Sequence, residues 1–272
     1  MKIKDLFLTQ EEFMLVETPI PGILKTTPVP SNIEKYYESD QYISHHQDSN
    51  SFKDKLYKFA QSFNLNYKRN TVAGETFRNA NVLDYGCGAG EFVKYIEDEF
   101  TTFGYEPNAS ARSSATRKTS KAQIIDDINC LDNNSLDVIT LWHVFEHIED
   151  QETILKVFHQ KLKENGKLII AVPNYASYDA KHYKEFWAAY DVPRHLYHFS
   201  KRGIEQIFNN HAWKLKKVKP LFLDAFYISI LSEKYKKNPL SFLKGGFVGA
   251  ISNFKASKTG EFSSLIYIIE KR

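Results

Sequence analysis

Cysteine is scarce: the 272 residues contain two, Cys87 and Cys130. Two thiols make neither a disulfide framework nor a four-cysteine zinc site. Long apolar runs are missing. No stretch reaches the ~18 residues a membrane-spanning helix needs. Met1-Lys2-Ile3-Lys4-Asp5 has no apolar segment of a secretory signal behind it. An excess of one charge is missing too, since 36 basic and 33 acidic side chains give a net charge of +3. That balance argues against a dedicated nucleic-acid binder. There is no G-K-[ST] phosphate loop, no internal repeat and no low-complexity tract. The expectation is a soluble cytoplasmic protein with no membrane or nucleic-acid partner.

What is present is an ordinary globular composition, 42% hydrophobic and 25% charged. The length holds one large α/β domain with an appendage. The 20 Phe and 16 Tyr suit an aromatic-lined pocket and a large core equally. The chain is organised around Asn81–Phe92, NVLDYGCGAGEF. Val82 and Leu83 end a buried strand, Asp84 sits at its tip, and Gly86, Gly88 and Gly90 follow at alternate positions. Glycines at such a turn allow positive φ and close approach of a ligand. The helix that begins at Glu91 offers unpaired N–H groups. The third glycine comes one place too early for the G-x-G-x-x-G dinucleotide fingerprint, which disfavours a nicotinamide-dependent oxidoreductase. About 20 residues on, a short strand ends at Glu106, where a doubly wound fold places a carboxylate against ribose hydroxyls.

VLDYGCGAGEF closely resembles the first motif of Rossmann-like S-adenosylmethionine-dependent methyltransferases. The resemblance implies an α/β fold: a doubly wound, seven-stranded, mostly parallel sheet whose antiparallel last strand lies between the fifth and sixth. It implies S-adenosylmethionine as cofactor. Asp84 would hold its amino end, the turn Tyr85, Gly86, Cys87, Gly88 and Gly90 its methionine part, and Glu106 beside Pro107 its ribose. Asp127 would take the adenine amine and Ile128 would stack on the ring, with Asp126 the alternative register. His143, just beyond the fourth strand, completes the cofactor set.

The segment His143-Val144-Phe145-Glu146-His147-Ile148 also matches the inverted zinc-peptidase pattern H-x-x-E-H. It follows a core strand rather than lying on a helix, which argues against that reading. V-F-E-H-I resembles the segment after the fourth strand in many methyltransferases. In the ubiquinone-biosynthesis O-methyltransferases this place reads Glu-x-x-Glu-His and can hold a divalent ion. Here His143 replaces the first Glu, so no metal is expected. Glu146 and His147 are candidates for acid/base chemistry, or they brace the loop.

Residues 1–50 break the βα alternation, and prolines at 19, 21, 28 and 30 predict an irregular or extended segment with a short helix at 32–39. This run is similar to the N-terminal extension of a bacterial methyltransferase group that often carries Cys-x-x-Cys pairs. Here Thr18 and Pro21 stand in their place. Tyr36, Tyr37, Tyr42, His45 and His46 either cap the active site or pack the extension on the core. The expected division is therefore 1–50 as extension or cap and 51–272 as methyltransferase domain. An amphipathic helix is expected at 51–66, then a polar linker at 68–78.

The densest chemistry lies in Phe186–Ser200, where D-x-P-R-H-x-x-H-F-S resembles a signature of the same bacterial group. Arg194 is a candidate for a substrate carboxylate or phosphate, or for an ion pair with Asp191. His195 and His198 are candidate bases, because imidazole titrates near neutral pH. Trp187 and Tyr190 are candidate pocket walls. The acceptor expected is a small molecule, since no docking module for a macromolecule is visible. A cofactor-binding protein of the same fold without turnover is the alternative.

Overall fold

The computed structural model describes residues 1–37, 52–209 and 212–272, and gives only the helical course of 52–59. Tyr42, His45 and His46 lie outside the described residues. Three short strands open the chain, β1 (Lys2–Lys4), β2 (Glu12–Glu17) and β3 (Ile23–Thr27). Helix α1 (Phe52–Ala73) leads to β4 (Asn81–Tyr85), α2 (Glu91–Ile96), β5 (Thr101–Tyr105), α3 (Ala109–Lys118) and β6 (Gln123–Ile125). Then come β7 (Leu136–Trp142), α4 (Gln151–Lys161), β8 (Leu162–Pro173), α5 (Tyr178–Tyr183), β9 (Tyr197–Phe199) and α6 (Lys201–Phe208). The chain ends with β10 (Trp213–Pro220), α7 (Asp224–Tyr235), α8 (Ser241–Thr259) and β11 (Ser264–Lys271).

Seven strands form one sheet in the order β10-β11-β8-β7-β4-β5-β6. Strands β4 to β8 pair in parallel, and β11 runs antiparallel to both of its neighbours. Alternate residues feed opposite cores, as the pleat requires. Leu168, Ile170 and Val172 of β8 join one hydrophobic cluster; Ile169 and Ala171 join the other. Both faces are therefore covered, which is why these strands read as continuous apolar runs. Among the described residues no helix is long and apolar enough to cross a membrane.

Three expectations change. The N-terminal extension, expected to be irregular or extended, is regular extended strand: β1, β2 and β3 make an antiparallel sheet completed by β9. Period-2 burial in β2, with Phe13 and Leu15 inward, is the signal for this. The turn at Thr18–Gly22 docks on the start of α6. There the Ser200 hydroxyl and N–H both donate to the Gly22 carbonyl at 2.9 Å. The helix expected at 32–39 is a single 3-10 turn, Ile33–Tyr36. The linker expected from Lys68 is helix as far as Ala73. Gly245-Gly246 lies inside α8. A Cβ on Gly245 would stand 2.5 Å from Ile230 Cα, whereas one on Gly246 would meet nothing within 4 Å. Gly245→Val is accordingly expected to lower stability by ~1–3 kcal/mol through overpacking. Gly246→Ala is expected to raise it by ~0.4–1 kcal/mol through chain entropy. Thermal unfolding of the two variants checks the pair.

Candidate functional site

The glycine turn forms at the carboxyl end of β4. The N–H groups of Gly86 and Cys87 both donate to the Tyr105 carbonyl, at 2.8 and 2.9 Å, and so tie the turn to the end of β5. Gly86 and Gly90 have φ of +79° and +81°, and a Cβ on either would strike Val144 or Ala115. Gly88, at φ +55°, has open space where its Cβ would be. Packing accounts for the outer two glycines; the middle one leaves a gap of the kind a ligand fills.

Three carboxylates stand at or just beyond the carboxyl ends of β4, β5 and β6. Asp84 is buried and accepts a 2.7 Å hydrogen bond from Thr140. Burial raises its pKa to about 6 against the pull of Thr140 and the Lys68 ammonium. Glu106 accepts from the Gly88 N–H and the Asn108 N–H, both at 2.9 Å, and so fixes the turn and the start of α3 together. Asp127 caps the short 3-10 turn Ile128–Cys130 through a 2.8 Å bond from the Asn129 N–H. Ile128 is mostly turned into the core, and Asp126 is exposed beside Arg112. Tyr85 stacks on Tyr105 at 4.4 Å, Pro107 is exposed, and burial pushes the Cys87 thiol up into an inert form.

The loop after β7 packs against this turn through Val144. His143 takes a left-handed φ of +59°. Its Nε2 lies 2.9 Å from Asp224 Oδ2 and its Nδ1 lies 3.4 Å from Glu146 Oε1. Burial pushes this imidazole down, but Asp224 and Glu146 outweigh it and raise the pKa to about 9. The unfolded value is near 6.5, so the stability contributed by His143 is complete below pH 6.5 and is lost as pH rises through 9. A His143→Gln variant should lack that alkaline decline in melting temperature, which a pH series of thermal unfolding reads directly.

Glu146 is fully buried, and neither carboxylate oxygen has a hydrogen-bond partner. Burial pushes its pKa up, but His143, His195 and His147 outweigh that and hold it low, so it is ionised at neutral pH. His147 Nδ1 lies 2.8 Å from the Arg194 carbonyl and His195 Nδ1 lies 2.9 Å from the Ala189 carbonyl. Carbonyls only accept, so both Nδ1 atoms carry a proton, and His195, held neutral by burial, keeps a lone pair on Nε2. His195 Nε2 is 3.9 Å from Glu146 Oε1. Ligand atoms of Glu146, His147 and His195 lie within 4.8 Å of one another. A Glu-His-His set with carbonyl-anchored imidazoles suits proton transfer, and it equally suits a divalent ion.

The insert is less open than its polarity suggests. Arg194 is not presented to a substrate. Its guanidinium bonds Asp191 at 2.6 and 2.9 Å, the Tyr36 carbonyl at 3.0 Å and Asp5 at 3.3 Å, and lies over the Phe7 ring. It clamps the N-terminal sheet to the insert. Trp187 is buried and donates from Nε1 to Asp179 at 2.7 Å; Tyr190 packs between Trp187 and His198. These aromatics are core rather than pocket wall. His198 Nε2 meets the Thr26 hydroxyl at 2.9 Å, and that hydroxyl donates to the His195 carbonyl at 2.7 Å. With its proton committed, Thr26 accepts from His198. Burial lowers His195 to about 4 and His198 to about 3. Neither titrates near neutrality, contrary to the general expectation for imidazole.

Sequence reasoning missed Lys68, Thr140, Asp224 and Thr26. Lys68 acts electrostatically on both Asp84 and Asp224, and burial lowers its pKa. The i+4 periodicity of α1 continues through Tyr67 and Thr71, which was the available signal for Lys68. Nothing local marks the other three.

A doubly wound sheet with a glycine turn and strand-end carboxylates defines a Rossmann-like nucleotide-cofactor fold. The family model described as "Methyltransferase domain" matches residues 45–217, and the chain belongs to that family. An uncharacterized methyltransferase of Anoxybacillus flavithermus is 32% identical over 96 residues, covering 33% of this chain and 45% of that protein. A ubiquinone biosynthesis O-methyltransferase of Xanthomonas oryzae pv. oryzae is 26% identical over 104 residues, covering 35% of this chain and 44% of that protein. The chain thus spans less than half the length of these curated relatives. Among solved structures, Haemonchus contortus phosphoethanolamine N-methyltransferase 2, in complex with phosphomonomethylethanolamine and S-adenosylhomocysteine, aligns with a TM-score of 0.55 at 14% identity. That alignment covers 92% of this chain and 62% of the other, a likeness of fold.

Proposed function

We propose that this protein is an S-adenosylmethionine-dependent methyltransferase acting on a small-molecule acceptor whose hydroxyl or amine gives up its proton to the Glu146 cluster. The observation that carries the reading is the open flank of Gly88, set between Asp84 and Glu106 at neighbouring strand ends. Asp84 would hold the amino group, Glu106 the ribose, and Asp127 the adenine amine. The cofactor, when bound, supplies an already activated methyl group. The protein orients the acceptor and excludes water, effects worth ~7–11 kcal/mol in well-oriented cases. Glu146, ionised beside the His143 imidazolium, is the proton acceptor, and His195 and His147 flank it.

Incubation with methyl-labelled S-adenosylmethionine and a panel of small hydroxy and amino compounds tests this. Label in an acceptor supports the reading, and no transfer to any acceptor despite cofactor binding favours a binding protein without turnover. The Glu-His-His set supports a second, metal-assisted reading: loss of transfer on chelation, restored by a divalent ion, would select it.

Asp84 also sets a pH dependence. Its free pKa is about 6, and a bound ammonium would lower it. Cofactor affinity should therefore fall by about tenfold per pH unit below 6, with protons released on binding. Titrations in buffers of different ionisation enthalpy read both effects.

A further inference from the structure

Helix α8 has one face with no partner in the described structure. Gly245, Val248, Gly249, Ser252 and Ala256 turn inward, and Gly245 and Gly249 sit against the Ile230 and Phe226 backbone of α7. The opposite face carries Leu243, Phe247 and Phe254, exposed by 68%, 68% and 67%. These positions, with Ala250, fall at i, i+4, i+7 and i+11, a single stripe along the helix. Leu240 and Phe242 add exposed apolar surface at its start. A contiguous patch of this kind on a soluble protein marks a contact surface.

The charge around the stripe says what the contact is. Residues 234–258 contain six lysines and no aspartate or glutamate. Lys244, Lys255 and Lys258 lie on α8 itself. Lys244 reaches the buried Glu233 at 3.4 Å, and Lys255 lies over the Tyr178 ring, so the stripe is framed by cations already held in place. Lys234, Lys236 and Lys237 cluster where α7 runs into α8. Apolar and aromatic side chains on one face, flanked mainly by lysine, form the pattern of a helix that lies in the interface of an anionic bilayer. Its lysine stems can follow the apolar surface while their ammonium groups reach the headgroups. Lying on a membrane needs no spanning helix. A second copy of the chain is a poorer occupant, because a symmetric contact would bring two lysine-rich rims together.

We propose that α8 seats this protein on membrane surfaces containing anionic lipid. The same hairpin carries Asp224, the partner of His143, at the start of α7. Docking there would hold the site near the bilayer.

Vesicle sedimentation with the full chain tests the proposal. Probes are phosphatidylcholine vesicles with and without phosphatidylglycerol. The expected result is binding to the phosphatidylglycerol vesicles that weakens with added salt, and at least tenfold weaker binding to phosphatidylcholine alone. The triple variant Leu243→Ser, Phe247→Ser, Phe254→Ser should lose vesicle binding with its thermal unfolding unchanged, as should Lys234→Glu, Lys237→Glu, Lys258→Glu. Light scattering on the same samples gives the mass in solution. Absence of vesicle binding by the unmodified protein overturns the proposal, as does undiminished binding by both variants. A dimer that the triple serine variant dissolves, without vesicle binding, assigns the face to a second copy instead.

Discussion

Replacing Glu146 with glutamine is expected to lower turnover by ~10²–10⁴-fold while leaving cofactor affinity unchanged. Glu146 is fully buried with no hydrogen-bond partner on either oxygen. Buried carboxylates are ordinarily satisfied, as Asp179 is here by Trp187, Ser252 and Ser263. Glu146 instead faces the His143 imidazolium at 3.4 Å, which keeps it ionised and able to receive a proton. Glutamine keeps the shape and loses the basicity. His195→Ala should slow turnover by a smaller factor, because His195, at a pKa of about 4, positions Glu146 rather than taking the proton itself. A pH–rate profile separates the roles: the acidic limb should vanish in Glu146→Gln and persist in His195→Ala. If Glu146 only braces the loop, its variant will melt earlier and turn over normally.

Removing the other key carboxylate should act on binding instead. Glu106→Ala is expected to weaken cofactor affinity by ~10–100-fold. The carboxylate accepts the Gly88 and Asn108 N–H groups, each a charge-assisted bond of ~1.5–3 kcal/mol, and it is the candidate ribose ligand. Its loss both loosens the turn and removes the acceptor for the ribose hydroxyls. Glu106→Gln retains a carbonyl oxygen for the Gly88 N–H, so it should lose less. Wild-type affinity in Glu106→Ala would contradict the assignment.

Asp84 and Glu106 show what spacing in the sequence can place. Asp84, the glycines and Glu106 occupy one βαβ unit, and their spacing alone places them at adjacent strand ends. The alternation of strand and helix was legible in the apolar patterns, while the seven-stranded sheet and its antiparallel β11 followed from the family resemblance. Arg194, Trp187 and Tyr190 show the opposite case. Polar and aromatic residues in an insert look like a pocket until their partners are known. Asp5 lies 189 residues from Arg194, and no local pattern announces that contact. The N-terminal strands were hidden for a related reason. β1 is a three-residue edge strand, and β3 finds its second neighbour only in β9. The histidines misled through solvation: burial, which sequence does not display, moves His195 and His198 far below the ordinary imidazole range and lifts Asp84.

Calorimetric titration of the purified chain with S-adenosylhomocysteine, with NAD as the control, decides the identity of the cofactor. Saturable one-site binding of S-adenosylhomocysteine, with no heat from NAD, is the result this account predicts. Binding of NAD alone, or of neither compound, would contradict it.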